Sequence, residues 1–141
     1  MKHLLLILII IFFYCQSASA NEATQCFETA WAHPEDKGLG LNRGQAVELC
    51  NGASNAAQVI ACYVFAWEHP DNGGLGLNRG QAVTLCNGAS DAVKVAACFA
   101  VAWEHPDNGG LGLNRGQAIS LCSRTADAVE TIKCFNLAWE H

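Results

Sequence analysis

Long apolar segments alternate along this chain with shorter polar, glycine-rich segments. The segment SDAVKVAACFAVAWEH contains no glycine or proline, and Pro106 follows it. Ser90 is a good N-cap, Asp91 suits the positive end of a helix, and a proline disfavours helical geometry at the residue before it. The pattern therefore predicts a long helix that ends by His105. Because this helix is apolar nearly all round, we expect neighbouring elements to cover it on several sides.

A second, shorter helix is predicted after each glycine-rich connector. Asn78 is followed three residues later by Gln81, which is the spacing of a capping box, and Asn87-Gly88 stops the helix after Cys86. Glycines in the connector allow a compact turn between the two helices. A helix of this length is not stable alone, so packing and crosslinks must hold it.

Both predicted helices recur with a period of 36 residues. Cysteines at 26, 62, 98 and 134 and tryptophans at 31, 67, 103 and 139 keep this step. A fixed period in this range is typical of stacked helical units. The sequence predicts an all-α fold, a short α-solenoid of about three 36-residue helical hairpins with a C-terminal capping helix. The units are residues 26–61, 62–97 and 98–133, with a partial unit at 134–141.

An aromatic pair recurs within each long helix, as in Phe99 and Trp103. Residues four apart share one helix face. We interpret this face as a stripe of the core rather than a platform on which a ligand stacks.

The connector WEHPDNGGLGLNRGQA occurs unchanged at 67–82 and 103–118, whereas the first copy reads WAHPEDKGLGLNRGQA. One explanation for this constancy is structural, because a turn that needs glycines, a cap and a proline tolerates few substitutions. Recent duplication is a second explanation. A binding edge is a third, because stacked repeats place equivalent side chains in parallel rows. The candidate residues of this binding edge are Asp71, Asn72, Arg79, Gln81, Asp107, Asn108, Arg115 and Gln117.

Residues 1–20 have the pattern of a cleaved signal peptide, which leaves residues 21–141 as a single domain. MKH gives a basic start, an apolar run covers residues 4–14, and Ala18-Ser19-Ala20 supplies small residues for cleavage. A membrane span needs roughly 20 apolar residues, and this run stops near Cys15. We expect no membrane span after signal cleavage.

The predicted mature chain has a formal charge of −6 and seven cysteines. It has no basic cluster, so nucleic-acid binding lacks its main electrostatic attraction. Seven cysteines in a small exported chain predict a disulfide framework with one thiol left over, in a secreted or periplasmic protein.

Two periodic sets of disulfides fit the spacing. The first joins Cys26 to Cys50, Cys62 to Cys86 and Cys98 to Cys122. The second joins Cys50 to Cys62, Cys86 to Cys98 and Cys122 to Cys134. A hairpin about residues 70–77 favours the first set because it places Cys62 and Cys86 side by side. The second set would span roughly 13 Å along a helix, unless the helices cross steeply. Cys134 is unpaired in the first set.

Candidate catalytic and metal chemistry is sparse in this chain. Adjacent residues such as Glu68 and His69 do not point at one ion, and we expect the histidines to interact with the negative helix end. Serines do not recur near a histidine, the cysteines are assigned to bridges, and the glycines lack the lysine of a phosphate-binding loop. We therefore predict no enzyme activity, metal or cofactor.

The motif Gly74-Leu75-Gly76-Leu77 with Ala82, and its counterparts in the other units, resembles the Sel1-like branch of tetratricopeptide-type repeats, especially its exported cysteine-rich members. The short helix is about a turn shorter than in that pattern, and the cysteine spacing and histidine-proline loop differ from it. The resemblance implies an interaction scaffold exported from a bacterium.

The functional hypothesis is an exported interaction module whose partner is a protein. An alternative is a carbohydrate or cell-wall binding module that uses the connector residues. A structural envelope protein without a fixed ligand is a third possibility.

Overall fold

The computed structural model describes residues 21–139, and all regular secondary structure in that range is helical. The signal peptide predicted at 1–20 and the last two residues of the partial unit lie outside it. Long and short helices alternate, and a 3₁₀ turn follows each of the first three long helices, at Pro34–Asp36, Pro70–Asn72 and Pro106–Asn108. The helices are α1 (21–31), α2 (Arg43–Cys50), α3 (Ala56–Trp67), α4 (Arg79–Cys86), α5 (Ala92–Trp103), α6 (Arg115–Cys122) and α7 (Ala128–Trp139).

The helices form two layers. The long helices α3, α5 and α7 pack side by side in one layer, and the short helices α2, α4 and α6 pack side by side in the other. Each of α3 and α5 also packs closely on the short helix that follows it. This arrangement confirms the prediction of an all-α solenoid built from helical hairpins.

The helix caps explain where each element begins. Asn78 Oδ1 accepts from the Gln81 amide at 2.9 Å, and Gln81 Oε1 accepts from the Asn78 amide at 3.1 Å, which confirms the predicted capping box. The prediction of Ser90 as N-cap of the long helix is wrong by one residue. Asp91 is the N-cap, because its carboxylate accepts from the Lys94 amide at 3.1 Å.

The connector returns across the end of the long helix and satisfies its last carbonyl groups. Three backbone amides donate, at 3.1, 2.8 and 2.9 Å, from Leu75 to Phe65, from Gly76 to Glu68 and from Leu77 to Ala66. The same three bonds recur in the first and third units. Carbonyls at a helix end lack partners within the helix, so the invariant Gly-Leu-Gly-Leu segment acts as a cap made of backbone.

Two glycines allow this close return. A Cβ on Gly74 would lie 2.2 Å from the Glu68 carbonyl oxygen, and Gly76 has a φ of +61°, a backbone conformation that favours glycine. The structure therefore gives a physical reason for the constancy of the connector.

Three disulfides join α1, α3 and α5 to the short helices that follow them, and these bridges are the first of the two predicted sets. The bridges Cys26–Cys50, Cys62–Cys86 and Cys98–Cys122 each have a Cα–Cα distance of 5.6 Å. The second set is excluded, because every cysteine it needs except Cys134 is already bridged. Cys134 is a free, exposed thiol.

The core lies between the two layers. Val59, Tyr63 and Ala66 of α3 are buried there, and their counterparts in α5 are buried in the same way. Polar bonds also join successive units, since Gln58 Oε1 accepts from the Ala92 amide at 2.9 Å and Asn87 donates to the Glu48 carbonyl. Burial and polar bonding together set the stacking of the units.

Removing one bridge tests how far the hairpin depends on its crosslink. The double substitution Cys62→Ala and Cys86→Ala is expected to lower the free energy of unfolding by about 3 kcal/mol, because it frees a loop of this size in the unfolded chain. Urea denaturation followed by far-UV circular dichroism measures the change. Cys134→Ser, compared under conditions that keep the Cys134 thiol reduced, is the control and should cost much less; an equal loss in both variants would contradict the assignment.

A glycine pair tests the backbone cap. Gly74→Ala is expected to destabilise the protein by about 2 kcal/mol or more, because its methyl group would overlap main-chain atoms. Gly80→Ala is the matched control, since the nearest atom to its Cβ is 3.6 Å away. Thermal denaturation of the two variants should give opposite shifts, and equal shifts would exclude the steric explanation.

Candidate functional site

Side chains of the predicted binding edge are largely bonded within the connectors. Asn72 Nδ2 donates to Glu68 Oε1 at 2.8 Å, and Asn108 makes the equivalent bond to Glu104 at 2.9 Å. The bond from Asn72, followed by a backbone bond from His69, holds the pKa of Glu68 below its ordinary value. These amides therefore hold the connector against the helix end.

The arginines of the predicted edge cover the tryptophans. The guanidinium carbon of Arg79 lies 5.5 Å from the centre of the Trp67 ring, and that of Arg115 lies 5.0 Å from the Trp103 ring. Arg79 Nη1 also donates to the Gly40 carbonyl at 3.0 Å, which joins this connector to the one before it. Both arginines have cation–π partners.

The remaining predicted residues divide into two groups. Gln81 and Gln117 belong to capping boxes, whereas the carboxylates of Asp71 and Asp107 are exposed. The edge thus offers mainly two carboxylates to an incoming ligand, and its role in binding stays a prediction.

Two interpretations of the long-helix ends need correction. The tryptophans were expected in the core, but only the first member of each interior pair is buried, while Trp67 is 51% and Trp103 46% exposed. The ring pairs do form, with centroids 6.3 Å apart for Tyr63 and Trp67. The histidines were expected at the negative helix end. Instead His69 Nδ1 accepts from the Asp71 amide at 3.3 Å and caps the 3₁₀ turn.

The outward side of the long helices is apolar and exposed. We call this surface the apolar face; it comprises Phe65, Val93, Val101, Val129 and Leu137. Val93 is 76% and Val129 73% exposed. The expectation that neighbours cover the long helices on several sides is therefore wrong for this side, because the solenoid has two layers and the long helices form the outer surface of one.

Two grooves run along the apolar face, one on each side of α5. The groove between α3 and α5 has a volume of about 430 Å³ and includes Phe65, Val93 and Ala97 in its lining. The groove between α5 and α7 has a volume of about 490 Å³ and includes Ala97, Val101 and Leu137. Ala97 lines both grooves, so they form one continuous surface.

Helix α1 has a polar surface at the same repeat positions. Thr24, Gln25, Glu28 and Thr29 correspond to Ile60, Ala61, Val64 and Phe65 one period later. The apolar face is not predicted by the helix pattern, because a helix that is apolar all round is expected to be covered by its neighbours. The signal in the sequence is the contrast between the polar residues of the first unit and the apolar residues at the same positions of the later units.

Residues 21–139 contain no group of three or more histidine, cysteine, aspartate or glutamate side chains placed to hold a metal ion. None of the helices described has the length and apolar character needed to cross a membrane.

Comparison with protein-family models, with curated proteins and with solved structures gives no match for this chain.

The role of Asn72 can be measured through its carboxylate partner. Asn72→Ala removes the main hydrogen bond to Glu68, so the pKa of Glu68 should rise toward its ordinary value while that of Glu104 stays low. Carboxyl chemical shifts followed by NMR against pH report both groups. The reciprocal variant Asn108→Ala should move only Glu104, and a Glu68 pKa that is unchanged by Asn72→Ala would contradict the assigned bond.

Proposed function

We propose that this protein is an exported protein-binding module and that the apolar face is its working surface. The observation that carries the proposal is the pair of connected grooves whose lining is almost entirely hydrocarbon. Soluble proteins seldom expose a large contiguous apolar surface unless it binds another molecule.

The shape of the grooves indicates the type of segment that would bind. A groove between two long helices matches the mode in which an amphipathic helix lays its apolar side into a hydrophobic channel. Phe65 at one end and Leu137 at the other would contact apolar anchors of such a helix. The proposed partner is thus a protein that presents an apolar helical segment.

Charges beside the grooves are paired within this chain. Lys94 Nζ lies 3.7 Å from Asp91, and Lys133 Nζ lies 3.7 Å from Glu130. A partner therefore meets paired charges at these positions, and apolar contact supplies most of the affinity. This chemistry favours a protein segment over an anionic ligand.

Three disulfides fit an oxidising compartment. We extend this to secretion or a periplasmic location, reached through the signal peptide predicted at 1–20. Membership of the Sel1-like repeats is likewise a proposal, supported by the stapled helical hairpins. The carbohydrate alternative has less support, because its amide side chains are bonded inside the connectors.

Site-specific photocrosslinking tests the proposed surface. A photoreactive amino acid replaces Val101 on the apolar face or, as a matched control, Thr29 at the same repeat position on α1. The protein is exported in its native host and irradiated, and adducts are identified by mass spectrometry. We expect discrete protein adducts from position 101 and none from position 29, because only the former lies beside a groove.

Two further variants sharpen this experiment. Phe65→Asp should abolish the adduct at position 101 while the far-UV circular dichroism stays unchanged, since Phe65 is partly exposed. The proposal fails if the photoreactive amino acid, placed in turn at positions 65, 101 and 137, gives no protein adduct at any of them. It also fails if binding to a glycan array is detected and is lost on changing Asn72 and Asn108, a result that assigns function to the connectors.

A further inference from the structure

Helix α7 exposes the side that the interior long helices α3 and α5 bury. Cys98, Phe99 and Ala102 of α5 are fully buried against α6. At the equivalent positions of α7, Cys134 and Ala138 are exposed and Phe135 is only partly buried. Trp139 is 81% exposed. Arg79 lies over the ring of Trp67 and Arg115 over that of Trp103, whereas among the described residues no arginine lies over the ring of Trp139.

A wide groove lies along this exposed side. Its volume is about 1070 Å³. The third connector and α6 together form one wall of this groove, and α7 forms the other. The apolar part of its lining consists mainly of Leu111, Leu113, Leu121, Phe135 and Trp139. We call it the end groove; it lies on the other side of α7 from Val129 and Leu137, and Asn136 lines both it and the groove between α5 and α7.

The interior units show what fills such a groove. In each of them a short helix lies beside the long helix and covers its aromatic residue, and a disulfide joins the two at a Cα–Cα distance of 5.6 Å. Among the described residues, the end groove is therefore an unfilled copy of an interface that occurs repeatedly within this chain. Its natural occupant is a helix that runs antiparallel to α7 and carries a cysteine opposite Cys134.

We infer that two copies of this protein form a symmetric dimer in which the α7 helix of each copy fills the end groove of the other. A two-fold axis perpendicular to α7 makes the two α7 helices antiparallel, which is the relation of long and short helices within each hairpin. Such an interface is self-complementary, because each copy contributes the same surface. With the axis near Cys134, the two Cys134 thiols face each other, as Cys98 faces Cys122 inside the chain.

The dimer is closed by a disulfide in the presence of a disulfide oxidant such as oxidised glutathione. One Cys134 thiolate attacks the oxidant, forms a mixed disulfide and releases one glutathione thiol. The Cys134 thiolate of the second copy then displaces the other glutathione thiol. Two protein thiols and one glutathione disulfide become one interchain disulfide and two glutathione thiols. Docking of the two α7 helices raises the effective concentration of the second thiol.

The test uses purified protein with its three internal disulfides intact. Incubation with oxidised glutathione, followed by non-reducing electrophoresis and intact mass, should yield a covalent dimer in which Cys134 is linked to Cys134. Sedimentation velocity of Cys134→Ser should reveal a weaker, reversible dimer. Phe135→Asp should lower the association constant of that dimer by about tenfold or more, because it places a charge in the centre of the interface.

Val129→Asp is the matched control, since it puts the same charge on the outward side of α7 and should leave dimerisation unchanged. Circular dichroism verifies that both variants fold. The inference is overturned if Cys134→Ser is monomeric at every concentration and the native protein accumulates only as glutathione-capped monomer. Equal dimerisation of Phe135→Asp and Val129→Asp would also overturn it. Neither result affects the photocrosslinking at position 101, so the two proposals fail independently.

Discussion

The return of each connector across the end of its long helix is the interaction on which the rest of the fold depends. Amides of the Gly-Leu-Gly-Leu segment satisfy carbonyls that a helix end leaves without partners. This contact fixes the position of Asn78 and so the start of α4. An eight-residue helix that starts there brings Cys86 beside Cys62, where the disulfide completes the hairpin. Because the same contacts recur in each unit, the hairpins share one geometry and stack regularly.

Much of this architecture was predictable, because it depends on spacing along the chain. The period, the capping boxes and the disulfide pairing follow from residues close in sequence, and the structure confirms them. The errors concern side-chain contacts that spacing along the chain does not fix. Asp91 replaces Ser90 as the cap, in a position where Gln58 of the preceding unit satisfies the neighbouring amide. Arg79 and Arg115 lie over the half-exposed rings of Trp67 and Trp103, a contact that no local pattern reveals.

The candidate site was less predictable than the fold for a related reason. A two-layer solenoid leaves one side of every long helix open, whatever the helix sequence. An apolar sequence on that side is uninformative until the layer count is known. The connector residues attracted attention by their constancy, but much of that constancy serves the backbone cap. The fold tolerates polar residues on the outward side of a long helix, as α1 shows. The later units nevertheless present Val64, Phe65 and Val101 on that side, so it is the better place to look for function.

The most direct test of the disulfide-linked helical hairpin is tryptic peptide mapping of the native protein without reduction. Cleavage after Lys94, Arg115, Arg124 and Lys133 places Cys98, Cys122 and Cys134 in three separate peptides. We expect peptide 95–115 to be linked to peptide 116–124 through Cys98 and Cys122. A link between peptides 116–124 and 134–141, through Cys122 and Cys134, would contradict it.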